Sequence, residues 1–346
     1  MYDITVVGAG PIGSHLARKF AEQGHEVLLL EKGKVGKPLK GTGHVSKDIF
    51  DHVPEKDKFV EKEIHGAVVH NNGSSFSFGR DRHTSYVLDR VEFDRYMAKR
   101  ARKVGADFRR ERFIDMKTKK GKVTVKTDSE EYETKLLAGC DGPLSDVRVA
   151  AELSKPELFL HGIFTNQIEV GPIQQNHVEV FLDTSEGFFG WKVPRKESFE
   201  YGLAVELGKD SRTYLEDFAK KEGFNISQVY SGMIPMLPPE KVTKNRVFLC
   251  GDAAGQTKPF SGGGLIYGLT AAEIAAETVD PEKPTTLEQY EEGWREELMG
   301  EIKTGNRIRK LYGLPSFLRY PFLWLGKHRS KHAHMDRPKS LLGYKK

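Results

Sequence analysis

Residues 3–32, DITVVGAGPIGSHLARKFAEQGHEVLLLEK, decide the fold. The order is apolar strand, glycine turn, helix, apolar strand. Residues 3–7 form a short apolar run, and Gly8-Ala9-Gly10-Pro11-Ile12-Gly13 follows at once. The helix then sets Leu16, Ala17, Phe20 and Ala21 on one face, and Gly24 ends it. A second buried strand closes on Glu31 and Lys32. Gly8 permits the tight turn, Gly10 lets the backbone approach a pyrophosphate, and Gly13 lets the helix pack close to the sheet. The helix N-terminus, with Ser14 in its first turn, offers N–H groups to phosphates. Glu31, followed by Lys32, can accept hydrogen bonds from a ribose. Glycine spacing alone is weak; the strand before it, the helix after it and the acid closing the next strand make it specific. The expectation is an α/β chain built on a Rossmann-type parallel sheet.

This turn does not separate nicotinamide from flavin dinucleotides. Residues 248–269, FLCGDAAGQTKPFSGGGLIYGL, do. An apolar run ends at Asp252, which can accept hydrogen bonds from ribityl hydroxyls. Gly262, Gly263 and Gly264 let backbone touch a ring edge. The helix beginning at Leu265 directs N–H groups at a flavin's N1/O2 edge, where the reduced ring carries negative charge. A site anchored at both ends points to FAD.

Four motifs, GAGPIG…LEK, YVLDRVEFD, AGCDGPLSDVR and CGDAAGQTKPFSGGG, stand in this order over residues 1–300. In this they resemble the geranylgeranyl reductase family. The resemblance implies a para-hydroxybenzoate hydroxylase-like fold, an α/β and α+β composite with a β-rich substrate domain. It also implies FAD contacts at Arg90, Asp252, Gly264 and Leu265, with Asp141, Gly142 and Arg148 near the cofactor and the domain junction. Arg90 has independent support: a cation at a helix N-terminus opposes the macrodipole unless an anion sits nearby. The expected FAD-binding domain comprises residues 1–62, 91–150 and 240–282. The substrate domain comprises 63–90 and 151–239, and a helical C-terminal segment with a basic, aromatic tail runs over 283–346.

On the substrate side, GFFGWKVPRKE (187–197) resembles the family's aromatic motif, with Phe189, Trp191 and Pro194 as candidate contacts. Trp and Pro match; the Tyr and the second aromatic do not. The family loop that usually carries a Cys beside the flavin has Gly41 here. His44, three residues on, is a candidate proton donor, and Trp191 a second candidate catalytic residue. An ordinary buried Trp and an exposed loop His are the plain alternatives.

The chain's 346 residues, 38% of them hydrophobic, can bury a full core. Cys140 and Cys250 are too few for a disulfide framework or an iron–sulfur site. No apolar run reaches spanning length, and the N-terminus opens directly on a strand, so the expected location is cytoplasmic. Residues 301–346 hold 12 Lys/Arg against 2 Asp/Glu, a net +10, leaving −5 for residues 1–300. The tail over 311–332 mixes Leu, Phe, Tyr and Trp with basic residues, which suits a peripheral membrane contact. His328, His332 and His334 lack acidic or Cys companions, so no metal is expected, nor nucleic acid. The expected activity is FAD-dependent saturation of C=C bonds in prenyl-lipid chains, fed by an external donor (ferredoxin, NADPH or a deazaflavin). The alternatives are a flavin monooxygenase and a non-redox cyclase or flavin-binding module.

Overall fold

The computed structural model describes residues 1–346 except 56–57, 80–84, 120, 170–172, 330–333 and 343–346. Tyr2–Val7 forms the first strand, Pro11–Glu22 the first helix (α1), and Val27–Leu30 the second strand. The two strands pair in parallel, Ile4 opposite Val27 and Val7 opposite Leu30. Glu131–Gly139 lies parallel on the other side of Tyr2–Val7, and Val247–Leu249 parallel beyond that. Four parallel strand ends therefore sit side by side, at the sheet edge where α/β folds bind ligands. Their runs of Val, Ile and Leu are buried because helices cover them.

A short helix, Ile49–His52 (α2), follows the loop after the second strand. Arg90–Lys103 (α3) is capped by Asp89, whose carboxylate accepts from the N–H groups of Val91 and Glu92. Asp146–Ala150 (α4) follows the third motif and is capped by Ser145.

The second sheet has seven strands, ordered Val229–Leu237, Leu158–Ile168, Ser198–Glu206, Gly190–Pro194, His177–Phe181, Gly66–Asn71 and Ser74–Gly79. It is antiparallel apart from the His177–Phe181 pairing with Gly66–Asn71. Ser211–Glu222 (α5) packs on one face. The other face buries Leu160, Leu182, Phe188 and Phe189. A third sheet, of His44–Ser46, Ser85–Leu88 and Val60–Ile64, pairs segments from both sides of the expected boundary at residue 62.

Leu265–Thr278 (α6) and Leu287–Lys310 (α7) return to the first sheet, where Tyr290 and Trp294 are fully buried. Ser316–Arg329 (α8) crosses instead to the second sheet, with Arg319 anchoring it to Leu182 O (2.7 Å) and to Asp183. Residues 334–342 then turn back toward the first sheet, tied by the Lys339 N–H to Glu301 (3.0 Å) and by Arg337 to Glu297. His334 is described and pairs with Asp48 (3.3 Å); His332 lies outside the described residues.

Candidate functional site

One cavity of about 1490 Å³ runs from the glycine turn after the first strand into the second sheet. At its dinucleotide end, Gly8 adopts φ +99°, and a side chain there would stand 2.5 Å from the Cys140 carbonyl oxygen. A Cβ on Gly13 would meet the Gly8 carbonyl at 2.0 Å. The turn therefore closes only with glycine at both places. Around Gly10 nothing lies within 4 Å of a built Cβ, and the residue lines the cavity. That bare backbone at the start of α1 is a cradle for phosphate.

Glu31 accepts from the Ala9 N–H (3.0 Å) and the Gly33 N–H (2.8 Å), which holds it beside the turn with lone pairs to spare. Lys32 lines the same opening. Ser14 is turned away: its hydroxyl donates to the Ala9 carbonyl at 3.0 Å, inside the protein. Its part is to hold the turn. Arg90 lines the cavity but has partners of its own, Asp94 (3.1 Å) and the Lys40 carbonyl (2.8 Å), so the fold already answers the charge that sequence left open. Asp141 and Gly142 line the cavity, whereas Arg148 donates to the Pro143 carbonyl (3.0 Å) at the edge of α4.

The second anchor lies across the cavity. Asp252 sits in a tight turn after the Val247–Leu249 strand, and burial raises its pKa against the pull of Arg90 and Lys40. A side chain on Gly264 would stand 2.6 Å from its Oδ1. Gly263, Gly264 and Leu265 line the cavity where α6 begins with free N–H groups. An electron-rich ring edge placed there meets backbone donors and a helix N-terminus together. The cradle at Gly10, the acceptor at Glu31 and the turn at Asp252 all fit FAD.

Beyond the glycines the walls become apolar. Gly262 faces Phe188 (3.4 Å) and Ile234 (3.6 Å) from the built Cβ. Phe188 stacks on Phe189 at 4.1 Å, and Tyr312 meets Phe189 edge-on at 5.6 Å. Val69, Val180 and Leu182 continue the chamber, and Leu323 and Leu325 of α8 close one side. Trp191 lines it and donates from Nε1 to the fully buried Glu200 at 3.1 Å. Pro194 is buried but does not line it.

His44 lies at the junction, its Nε2 2.8 Å from the Ser85 hydroxyl. Burial, with Lys258 nearby, lowers its pKa to about 4, so the ring is neutral at physiological pH. It can relay a proton through Ser85, but it is not a standing imidazolium acid. Gly41 lines the cavity near Arg90, with a built Cβ 3.4 Å from the guanidinium, so Arg90 stands beside the position where the family's Cys would be.

Sequence reasoning missed Phe188, Tyr312, Ile234 and Lys258. Phe188 was legible as the partner of Phe189 in the quoted motif. Tyr312 and Ile234 carry no local signal, since only the return of the chain past α7 and the second sheet brings them in.

A family described as "FAD binding domain" matches residues 1–232. The digeranylgeranylglycerophospholipid reductase of Methanocaldococcus jannaschii is 29% identical over 90% of this chain and 88% of its own. Digeranylgeranylglycerophospholipid reductase 1 of Methanococcoides burtonii is 30% identical over 90% of this chain and 84% of its own. A solved geranylgeranyl bacteriochlorophyll reductase-like protein of Thermoplasma acidophilum superposes with a TM-score of 0.85 at 20% identity, covering 99% of this chain and 95% of that one.

Proposed function

We propose, for a chain that belongs to the FAD binding domain family and within it to the geranylgeranyl reductases, the saturation of C=C bonds in the polyprenyl chains of membrane lipids. The chain is an FAD-dependent oxidoreductase. The observation that carries the substrate is the continuity of the cavity: glycine backbone at one end opens without a partition onto Phe188, Phe189, Trp191, Ile234 and Tyr312. A prenyl chain offers little but apolar surface, and each buried methylene contributes about 0.8 kcal/mol. Such a chamber recognises it without polar contacts.

Bound FAD supplies the two-electron reduction; the protein's own residues supply position, dryness and a proton path. Aromatic faces at Phe189 and Trp191 tolerate cationic character on the carbon that awaits hydride while its neighbour takes the proton. The Ser85 hydroxyl and the neutral His44 ring form a two-member relay at the chamber's floor. Leu265 and the glycines before it hold the ring edge. Gly10, Glu31, Lys32 and Arg90 hold the rest of the dinucleotide.

The lipid enters from a membrane surface along α8. Phe317, Phe322 and Trp324 are 72%, 51% and 53% exposed, while Phe322, Leu323 and Leu325 also line the cavity. One helix thus carries apolar side chains both outside and into the chamber. Among the described residues no helix is long and apolar enough to cross a membrane. The proposed contact is peripheral, through these exposed side chains and the basic charge of residues 301–346.

Lipid mass spectrometry tests the reaction. Co-expression with a geranylgeranyl-lipid pathway should give products heavier by two hydrogens per saturated bond. Hydroxylated lipid, or oxygen uptake coupled to nicotinamide oxidation, would favour a monooxygenase instead.

A further inference from the structure

Lys258 and Asp336 form a buried charge pair with no part in the steps above. Lys258 lies in the turn between Asp252 and the three glycines. Its N–H donates to the Gly263 carbonyl (3.0 Å), and its own carbonyl accepts from the Gly262 N–H (2.8 Å). Its side chain runs over Gly263, with Nζ 3.4 Å from a built Cβ there, and it lines the cavity. Asp336 arrives from the far end of the chain and pairs with that Nζ. Both residues are 3% exposed. The Asp336 segment is fixed independently, by Tyr267 donating to the Asp336 carbonyl (2.8 Å) and by the Lys339 N–H to Glu301 (3.0 Å). Asp336 Oδ2 is buried without a partner among the described residues.

A buried ion pair adds little net stability, because desolvation offsets its attraction. Its position gives it a different effect. Two opposite charges sit beside the turn that holds the flavin's ring edge, one nearer through Gly263 and one behind it.

We propose that Lys258 and Asp336 set the reduction potential of the bound flavin as an opposed pair. Lys258 favours the reduced ring, and Asp336, brought in by the C-terminal segment, moderates that preference. The inference rests on the FAD placement given above. On reduction the ring takes up two electrons and one proton; the proton bonds to N5, and negative charge remains over N1 and the C2 carbonyl. A cation at that edge stabilises this charge and a carboxylate destabilises it. The chain's last segment thereby adjusts how strong a donor the flavin is.

The test is a midpoint titration of the FAD-loaded full chain, with xanthine and xanthine oxidase as electron source, oxidising xanthine to urate. Sulfite affinity is a second readout, since sulfite bonds to N5 through its sulfur lone pair and leaves negative charge at the same ring edge. Asp336→Asn should raise the potential and tighten sulfite binding about tenfold, an equilibrium change equal to about 30 mV for two electrons. Lys258→Met should shift both the other way by a similar factor. Lys258→Arg should stay near wild type, and the double variant Lys258→Met/Asp336→Asn should fall between the singles. If Lys258→Met does not fold, the near-isosteric Asp336→Asn still decides the sign. Unchanged potentials in flavin-loaded variants, or both single variants shifting in the same direction, would overturn the proposal; a merely loosened segment gives the second pattern. Wild-type protein that fails to take up FAD would instead sink the placement of the cofactor.

Discussion

Arg195→Met tests the junction between chamber and flavin loop. Arg195 is 7% exposed and holds four partners: Glu61 (2.5 Å), Glu200 (3.4 Å), the Thr42 carbonyl (2.9 Å) and the Leu88 carbonyl (3.5 Å). Glu200 is fully buried and also accepts from Trp191. Removing the cation strands a carboxylate in the interior, which costs about 3–5 kcal/mol. At about 2 °C per kcal/mol for a protein of this size, thermal unfolding should drop by about 6–10 °C. Glu200→Gln should cost less, about 1–2 kcal/mol, because Arg195 keeps Glu61 and the amide oxygen still accepts from Trp191. The double variant should be more stable than Arg195→Met, since the stranded charge is gone. The pH dependence has a definite sign. Burial already raises the Glu200 pKa despite Arg195, and loss of Arg195 raises it further. A raised carboxyl pKa means the folded state holds the proton more tightly. The resulting stability is present below the unfolded value near 4.3 and declines as pH rises toward the folded value. The Arg195→Met deficit should therefore be smaller at pH 5 than at pH 8. A melting shift under about 2 °C, or one equal at both pH values, would refute the argument.

Asp252→Asn should weaken FAD binding by about 10- to 150-fold, matching about 1.5–3 kcal/mol for a hydrogen bond to a charged group. Asp210→Asn, which alters only the cap of α5, should leave affinity unchanged by fluorescence titration. Phe317→Ser with Trp324→Ser should abolish co-sedimentation with anionic liposomes while FAD absorbance persists; unaltered sedimentation would place membrane contact elsewhere. His15 and His44 are both held near pKa 4 chiefly by burial. The folded state therefore resists protons that the unfolded chain accepts near 6.5. Stability should fall as pH drops from about 6.5 toward 4, and His44→Gln should flatten part of that slope in thermal melts; an identical slope in that variant would remove His44 from the account.

The dinucleotide end of the cavity was legible in the sequence because its constraints are local. A strand, a turn that only glycine can close at positions 8 and 13, a helix N-terminus and Glu31 all lie within residues 3–32, so short-range sterics fix them. The turn from Asp252 to Leu265 is local in the same way, and so is the Asp89 cap of α3. The chamber is different. Leu182 and Phe188 come from the connection between two strands, Ile234 from a third strand, and Tyr312 and Leu323 from chain beyond α7, and apolar residues at those spacings look like any core. Distant partners of charged groups are equally silent. Sequence left Arg90 facing an unknown anion although Asp94, four residues on along α3, is a local partner; what only tertiary packing supplied is the Lys40 carbonyl across the loop. The C-terminal tail read as a basic, aromatic arm. Its helix does carry exposed Phe and Trp, yet Asp336 lies beside Lys258 at the glycine turn. A carboxylate 78 residues from its lysine has no sequence signature, because attraction between them acts only after the chain has folded back.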